Sequence, residues 1–95
     1  MAERLSDEQK KLRKKLGPIL KSYRTLAGLT QLELANKLGF KAYTFVSQLE
    51  GGTGKVPSEV IPKMAKAFGV SEKELAKLLL KHYDPDMYKA LFGGK

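Results

Sequence analysis

The 95-residue sequence has no cysteine, no tryptophan and a single histidine. Without thiols it has no disulfide framework, no thiolate metal site and no cysteine nucleophile, which excludes zinc fingers and fits a reducing compartment. Long apolar runs are also missing. None approaches the ~20 residues needed to span a bilayer, and the amino-terminal MAERLSDEQKKLRKK is charged throughout, unlike the apolar core of a signal peptide. A soluble, cytoplasmic protein with no membrane partner is expected. Acidic residues are the scarcer charge: ten Asp and Glu against eighteen Lys and Arg leave +8. Such a balance favours a polyanionic partner.

Catalytic chemistry is equally absent from the pattern. No nucleophile is spaced with a base, no His and carboxylate cluster has metal-ligand spacing, and no cofactor motif is present. The run GGTGK from Gly51 to Lys55 resembles a fragment of a nucleotide-binding loop but lacks its spacing and the Ser or Thr after the lysine, so a helix-ending turn explains it better. His82 reads as a packing or surface residue near a helix end. No enzyme, cofactor or metal is expected.

What is present is helical periodicity. From Asp7 to Ala27, Leu12, Leu16, Ile19 or Leu20, Tyr23 and Leu26 recur at three and four residues on one stripe, and Ser6 with Gln9 makes a capping box before it. Gly17-Pro18 predicts a kink or break, because proline removes a backbone donor and collides with the carbonyl of Lys14. Gly28 ends this segment. Thr30 and Glu33 form a second box, opening a helix that ends at Gly39 with Leu34, Ala35 and Leu38 inward. A third helix is predicted from about Ala42 to Glu50, stopped by Gly51-Gly52. Ser58 is placed to cap a fourth helix running to Phe68, weakened early by Pro62. Ser71 with Glu74 predicts a third box for a fifth helix carrying Leu75, Leu78, Leu79 and His82, and Asp84-Pro85 opens a short sixth. No stretch alternates like a strand, so the class is all-α. The expected organisation is a basic helical extension at residues 1–17, a core domain at 18–82 and a helical extension at 83–95.

Helix, tight glycine turn, helix is how DNA-binding domains hold a second helix in the major groove. The requirements are a small residue where the helices approach, a glycine at the turn and apolar anchors on the second helix; Ala35, Gly39, Val46 and Leu49 supply them. LTQLELANKLG, VSQLEGG and KMAKAFGVSEKEL, in this order between about Ile19 and Leu79, resemble the lambda repressor and Cro helix-turn-helix family, the xenobiotic-response-element type of bacterial and phage regulators. The resemblance implies a five-helix repressor bundle and double-stranded DNA as partner. It also shows a departure. Gly39 to Val46 is seven steps where the family has six, so the turn is predicted one residue longer, and Lys41 or Ala42 stands where the family has a serine cap.

From Ala42 to Leu49 the chain carries no charge. On a helix anchored by Val46 and Leu49, Tyr43 and Ser47 stack in one row and Thr44 and Gln48 in the next, making a neutral outward strip. Amides and hydroxyls can discriminate among base edges, whereas a lysine mostly reports the backbone. The resemblance implies base contacts at Tyr43, Thr44 and Gln48, with Ser47 a lesser candidate. An ordinary surface or a protein-contacting face is the alternative. Gln31, in a first helical turn, suits a phosphate oxygen; relatives also use this glutamine to brace the reading helix. Arg24 matches a family position that contacts phosphate and, in some members, pairs with the glutamate equivalent to Glu50. Lys41, Thr53 and Lys55 flank the strip as further phosphate candidates.

Residues 1 to 24 hold eight basic and three acidic side chains, so most of the net charge lies outside the motif. Lys10, Lys11, Arg13, Lys14 and Lys15 read either as a solvated helix face or as a DNA clasp. Tyr83, Met87, Tyr88, Leu91 and Phe92 lie beyond the family core and must pack on the fifth helix or form a dimer seam. The expected function is sequence-specific binding of duplex DNA by a homodimeric regulator, a repressor rather than an activator, on a near-palindromic operator. The alternatives are an antitoxin that also masks a toxin, and a protein-interaction module on the same fold.

Overall fold

The computed structural model describes residues 5–93, and these form six α-helices and one 3-10 turn with no strand. In chain order they are α1 (Asp7–Leu26), α2 (Gln31–Lys37), α3 (Thr44–Glu50), the 3-10 turn Ser58–Val60, α4 (Ile61–Phe68), α5 (Glu72–Tyr83) and α6 (Pro85–Phe92). The core is built by α1 to α5. Leu16 and Leu20 of α1 meet Leu34 and Ala35 of α2, Val46 and Leu49 of α3, Met64 and Ala65 of α4, and Leu75 and Leu79 of α5, all buried. Removing this apolar surface from water drives the assembly, since α2 and α3, at seven residues each, are too short to hold helical form alone.

The helix ends follow the expected chemistry in part. Ser6 with Gln9 and Thr30 with Glu33 form complete reciprocal boxes. Hydrogen bonds from Thr30 hold the Glu33 carboxyl below the usual carboxylate range. Its contribution is therefore full above that range and is lost as pH falls through the lowered value. Only half of the third box forms. The Ser71 hydroxyl accepts from the Glu74 amide, but the Glu74 carboxylate accepts from the Tyr23 hydroxyl at 3.2 Å, tying α5 to α1. Ser58 does not cap α4. A helix running from Ser58 would set the Pro62 ring against the Ser58 carbonyl four residues back, and the chain instead makes a 3-10 turn and starts α4 at Ile61, with Pro62 in the first turn where its missing N–H costs nothing. Asp84 caps α6 through the Met87 amide, with Pro85 first in the helix, as the sequence suggests.

Of the kink or break expected at Gly17-Pro18, the break does not occur: α1 is one helix of 20 residues with Pro18 inside it. Pro18 is exposed, so its ring is accommodated on the outer side of the helix. Gly17 has a different task. It is buried, and a methyl group there would stand 2.2 Å from the Glu50 carbonyl oxygen. At Gly52, which has φ 82°, a methyl group would meet the Lys14 Cα at 2.9 Å. The backbone of α1 thus lies directly against the carboxyl end of α3.

If Gly17 merely weakened a helix, Gly17→Ala would stabilise the protein by about 1 kcal/mol through helix propensity. Backbone contact predicts the opposite sign, a loss of about 1–3 kcal/mol from overpacking, measured as the shift in the urea unfolding midpoint.

Candidate nucleic-acid interface

The turn between α2 and α3 is fixed by Gly39 at φ 95°. Its amide donates to the Asn36 carbonyl at 3.1 Å and the Phe40 amide to the Ala35 carbonyl at 2.9 Å, the paired bonds of a left-handed helix stop. Ala35 is fully buried where the helices meet. The long turn is filled by aromatic packing: Phe40 stacks on Phe45 with ring centroids 4.4 Å apart. Sequence reasoning missed this pair; two phenylalanines five residues apart just after the turn glycine were the available signal. Tyr43 occupies the cap position of α3 and no side chain caps the helix, in line with the missing serine. α3 begins at Thr44, two residues later than expected, because the turn keeps Lys41 to Tyr43 out of the helix.

Val46 and Leu49 point into the core and anchor α3. The opposite face carries Thr44 and Gln48, both exposed, with Tyr43 55% exposed beside them and Ser47 half-buried at the edge. Among the described residues, none of these four side chains is in a hydrogen bond within the protein. The Gln48 backbone carbonyl is saturated instead, accepting from the amides of Thr53 and Gly54 and from the Thr53 hydroxyl at 3.3 Å. The GGTGK amides at Thr53 and Gly54 therefore close the end of α3 and cradle no phosphate.

Glu50 is the junction beneath this face. Its carboxylate accepts from Arg24 Nε at 2.6 Å and Nη2 at 3.1 Å, and from Gln31 Nε2 at 2.9 Å. Arg24 Nη1 donates to the Leu29 carbonyl at 2.8 Å. The Arg24 guanidinium is raised above its ordinary pKa by its bond to Glu50, so it stays charged, and at 8% exposure its donors are turned inward. The Arg24–Glu50 pair thereby joins α1, the α1–α2 loop, the start of α2 and the end of α3. Gln31, half-buried, contributes to this brace.

The flanking candidates separate. Lys41 and Thr53 are exposed beside the strip. Lys55 reaches away from it, with Nζ 5.4 Å from the centre of the Tyr83 ring, and Arg13 of α1 sits over the same ring at 5.5 Å. The Tyr83 hydroxyl accepts from the Val56 amide at 3.0 Å, fastening the loop after α3 to α5. Periodicity placed Tyr83 outside the core and gave no sign of this role. His82 is buried with Nδ1 2.9 Å from the Leu78 carbonyl, a packing residue as expected.

A helix-turn-helix model of the lambda repressor/Cro type matches residues 20–75 of the chain. The chain belongs to the helix-turn-helix family. Members of that family are DNA-binding transcription regulators. The match runs from Leu20 in α1 to Leu75 in α5, and so takes in Arg24, Gln31, the whole turn and all of α3. The first two thirds of α1, the last two thirds of α5 and all of α6 lie outside it. No curated protein matches the chain significantly. No helix among the described residues is long and apolar enough to cross a membrane.

Replacing Glu50 leaves a buried guanidinium without its counter-charge. Glu50→Ala is expected to cost about 3 kcal/mol of stability, read from urea unfolding. In a double-mutant cycle, Arg24→Met with Glu50→Ala should lose clearly less than the two single changes added together, since no unpaired charge remains.

Proposed function

We propose that this helix-turn-helix protein is a sequence-specific regulator, a repressor, that binds a near-palindromic duplex as a homodimer, with two copies of α3 in successive major grooves about 34 Å apart. One observation carries the reading: α3 is anchored on its apolar side and presents an uncharged face of hydroxyl and amide groups that have no side-chain hydrogen bond among the described residues. Buried against base edges, such groups give up water for matched donors and acceptors, and a mismatched base leaves them unpaired. Thr44 and Gln48 are the principal readers, Tyr43 adds a ring and a hydroxyl at the start of the helix, and Ser47 contributes from the edge. Gln48 has the geometry to pair bidentately with adenine.

Register comes from the backbone contacts. Gln31 at the start of α2, Lys41 in the turn and Thr53 after α3 lie on the two flanks of the strip and reach phosphates there; Lys55 joins them by leaving the Tyr83 ring. Arg24 acts through Glu50, fixing the angle at which α3 meets the groove. The homodimer is supported by α6, where Met87 is 48%, Leu91 61% and Phe92 41% exposed although the helix already packs on α5. The same apolar residues suit a protein partner, which is the observation behind the antitoxin reading. A small coding sequence adjacent to the gene for this chain distinguishes that case.

Duplexes selected from a random pool supply the test. Gln48→Ala should relax preference at one base position in each half-site and weaken binding to the selected sequence by roughly 1–3 kcal/mol, while affinity for scrambled duplex is unchanged. Equal weakening on every sequence would remove Gln48 from the reading surface.

A further inference from the structure

The carboxyl end of α3 and the side of α1 from Lys10 to Lys21 make one continuous surface. Lys10, Lys14, Gly17 and Lys21 recur at intervals of four, three and four residues and so share one side of α1. Gly17 on that side is pressed against the Glu50 backbone, and the Lys14 backbone lies beside Gly52. The stripe therefore runs along the end of the reading helix, while Lys11 and Lys15 are turned to another side of α1. All three stripe lysines are exposed. Apart from Asp7 beside Lys10, no carboxylate among the described residues is placed to offset them, and none forms an ion pair with them. The Glu50 carboxylate is committed to Arg24 and Gln31, the run from Gly51 to Lys55 contains no acid, and Arg24–Glu50 is the ion pair found among the described residues. Asp7, one turn before Lys10, marks where the stripe ends.

We propose that Lys10, Lys14 and Lys21 form a phosphate-binding ridge that continues the duplex track past the carboxyl end of α3. The inference rests on the reading of α3 as the groove helix. At seven residues and 1.5 Å per residue, α3 is about 10 Å long, against a major groove about 12 Å wide. The phosphates walling the groove thus pass its ends, and the ridge stands at one of them. Flexible ammonium groups there neutralise phosphodiesters without reading bases, so the ridge adds affinity and salt sensitivity with no sequence preference. It also gives a place to Lys10 and Lys14, two of the basic residues that lie outside the motif.

The test compares two double variants of the full chain with equal charge loss on one helix, Lys14→Gln with Lys21→Gln and Lys11→Gln with Lys15→Gln, glutamine being a comparable helix former. Affinity for selected and scrambled duplexes is measured across a salt series. The ridge variant should lower the slope of log affinity against log salt by about 1.8, at 0.9 per phosphate contact, and weaken both duplexes by the same factor; the other variant should leave the slope as it is. An unchanged slope in the ridge variant, or the same loss in both variants, overturns the ridge while the reading of α3 stands. No salt-sensitive duplex affinity in the unmodified chain overturns both.

Discussion

The position of α3 depends on a single carboxylate. A seven-residue helix has little stability and no fixed direction of its own, and its apolar anchors, Val46 and Leu49, set depth better than angle. Angle comes from the other end, where Glu50 is held by Arg24 and Gln31 while its backbone rests on Gly17. The pair is poorly hydrated and bidentate, so its geometry is tight, and it includes a hydrogen bond to the start of α2 that couples the two helices of the turn directly. The glycine is as necessary as the charges. Any side chain at residue 17 would move α1 away and lengthen the bonds that Arg24 makes.

This arrangement separates the tasks that one surface would otherwise combine. In the proposed reading, specificity belongs to an uncharged strip whose polar groups await partners, and affinity belongs to lysines placed around it. Keeping charge out of the strip matters because a lysine among the readers would bind any phosphate within reach and blur the difference between right and wrong sequences. The uncapped start of α3 and the long turn are consistent with the same division. The Phe40–Phe45 stack replaces a polar cap with apolar packing, which leaves Tyr43 free at the tip.

Much of the fold was legible because its signals are local. Capping boxes at Ser6 and Thr30 and glycine stops at Gly28 and Gly39 each act within one turn of helix, and the structure follows them; the three-four apolar spacing of α1 is followed at Leu16, Leu20 and Tyr23 but not at Leu26, which is 88% exposed at the helix end. Failures occurred where tertiary contact decides. Gly17-Pro18 has the local appearance of a break, yet the glycine serves a contact with a residue 33 positions away and the proline faces water. Glu74 could have completed a box but is drawn to Tyr23 on another helix. Ser58 lost its cap because Pro62 imposes its own geometry one turn later. At the candidate site, the anchors and exposed strip followed from periodicity, and the Arg24–Glu50 pair followed from family likeness. The attachment of Lys55 and Arg13 to Tyr83 had no sequence signal, because a cation over a ring has no fixed spacing.

The account stands or falls on whether the neutral face of α3 meets base edges in the major groove. Replacing each purine of a selected duplex in turn with its 7-deaza analogue removes one major-groove acceptor and leaves pairing and phosphates intact. Loss of binding confined to a few purines in each half-site, in two clusters one helical turn apart, is the predicted result. Binding that remains salt-sensitive yet is indifferent to every 7-deaza substitution would contradict it.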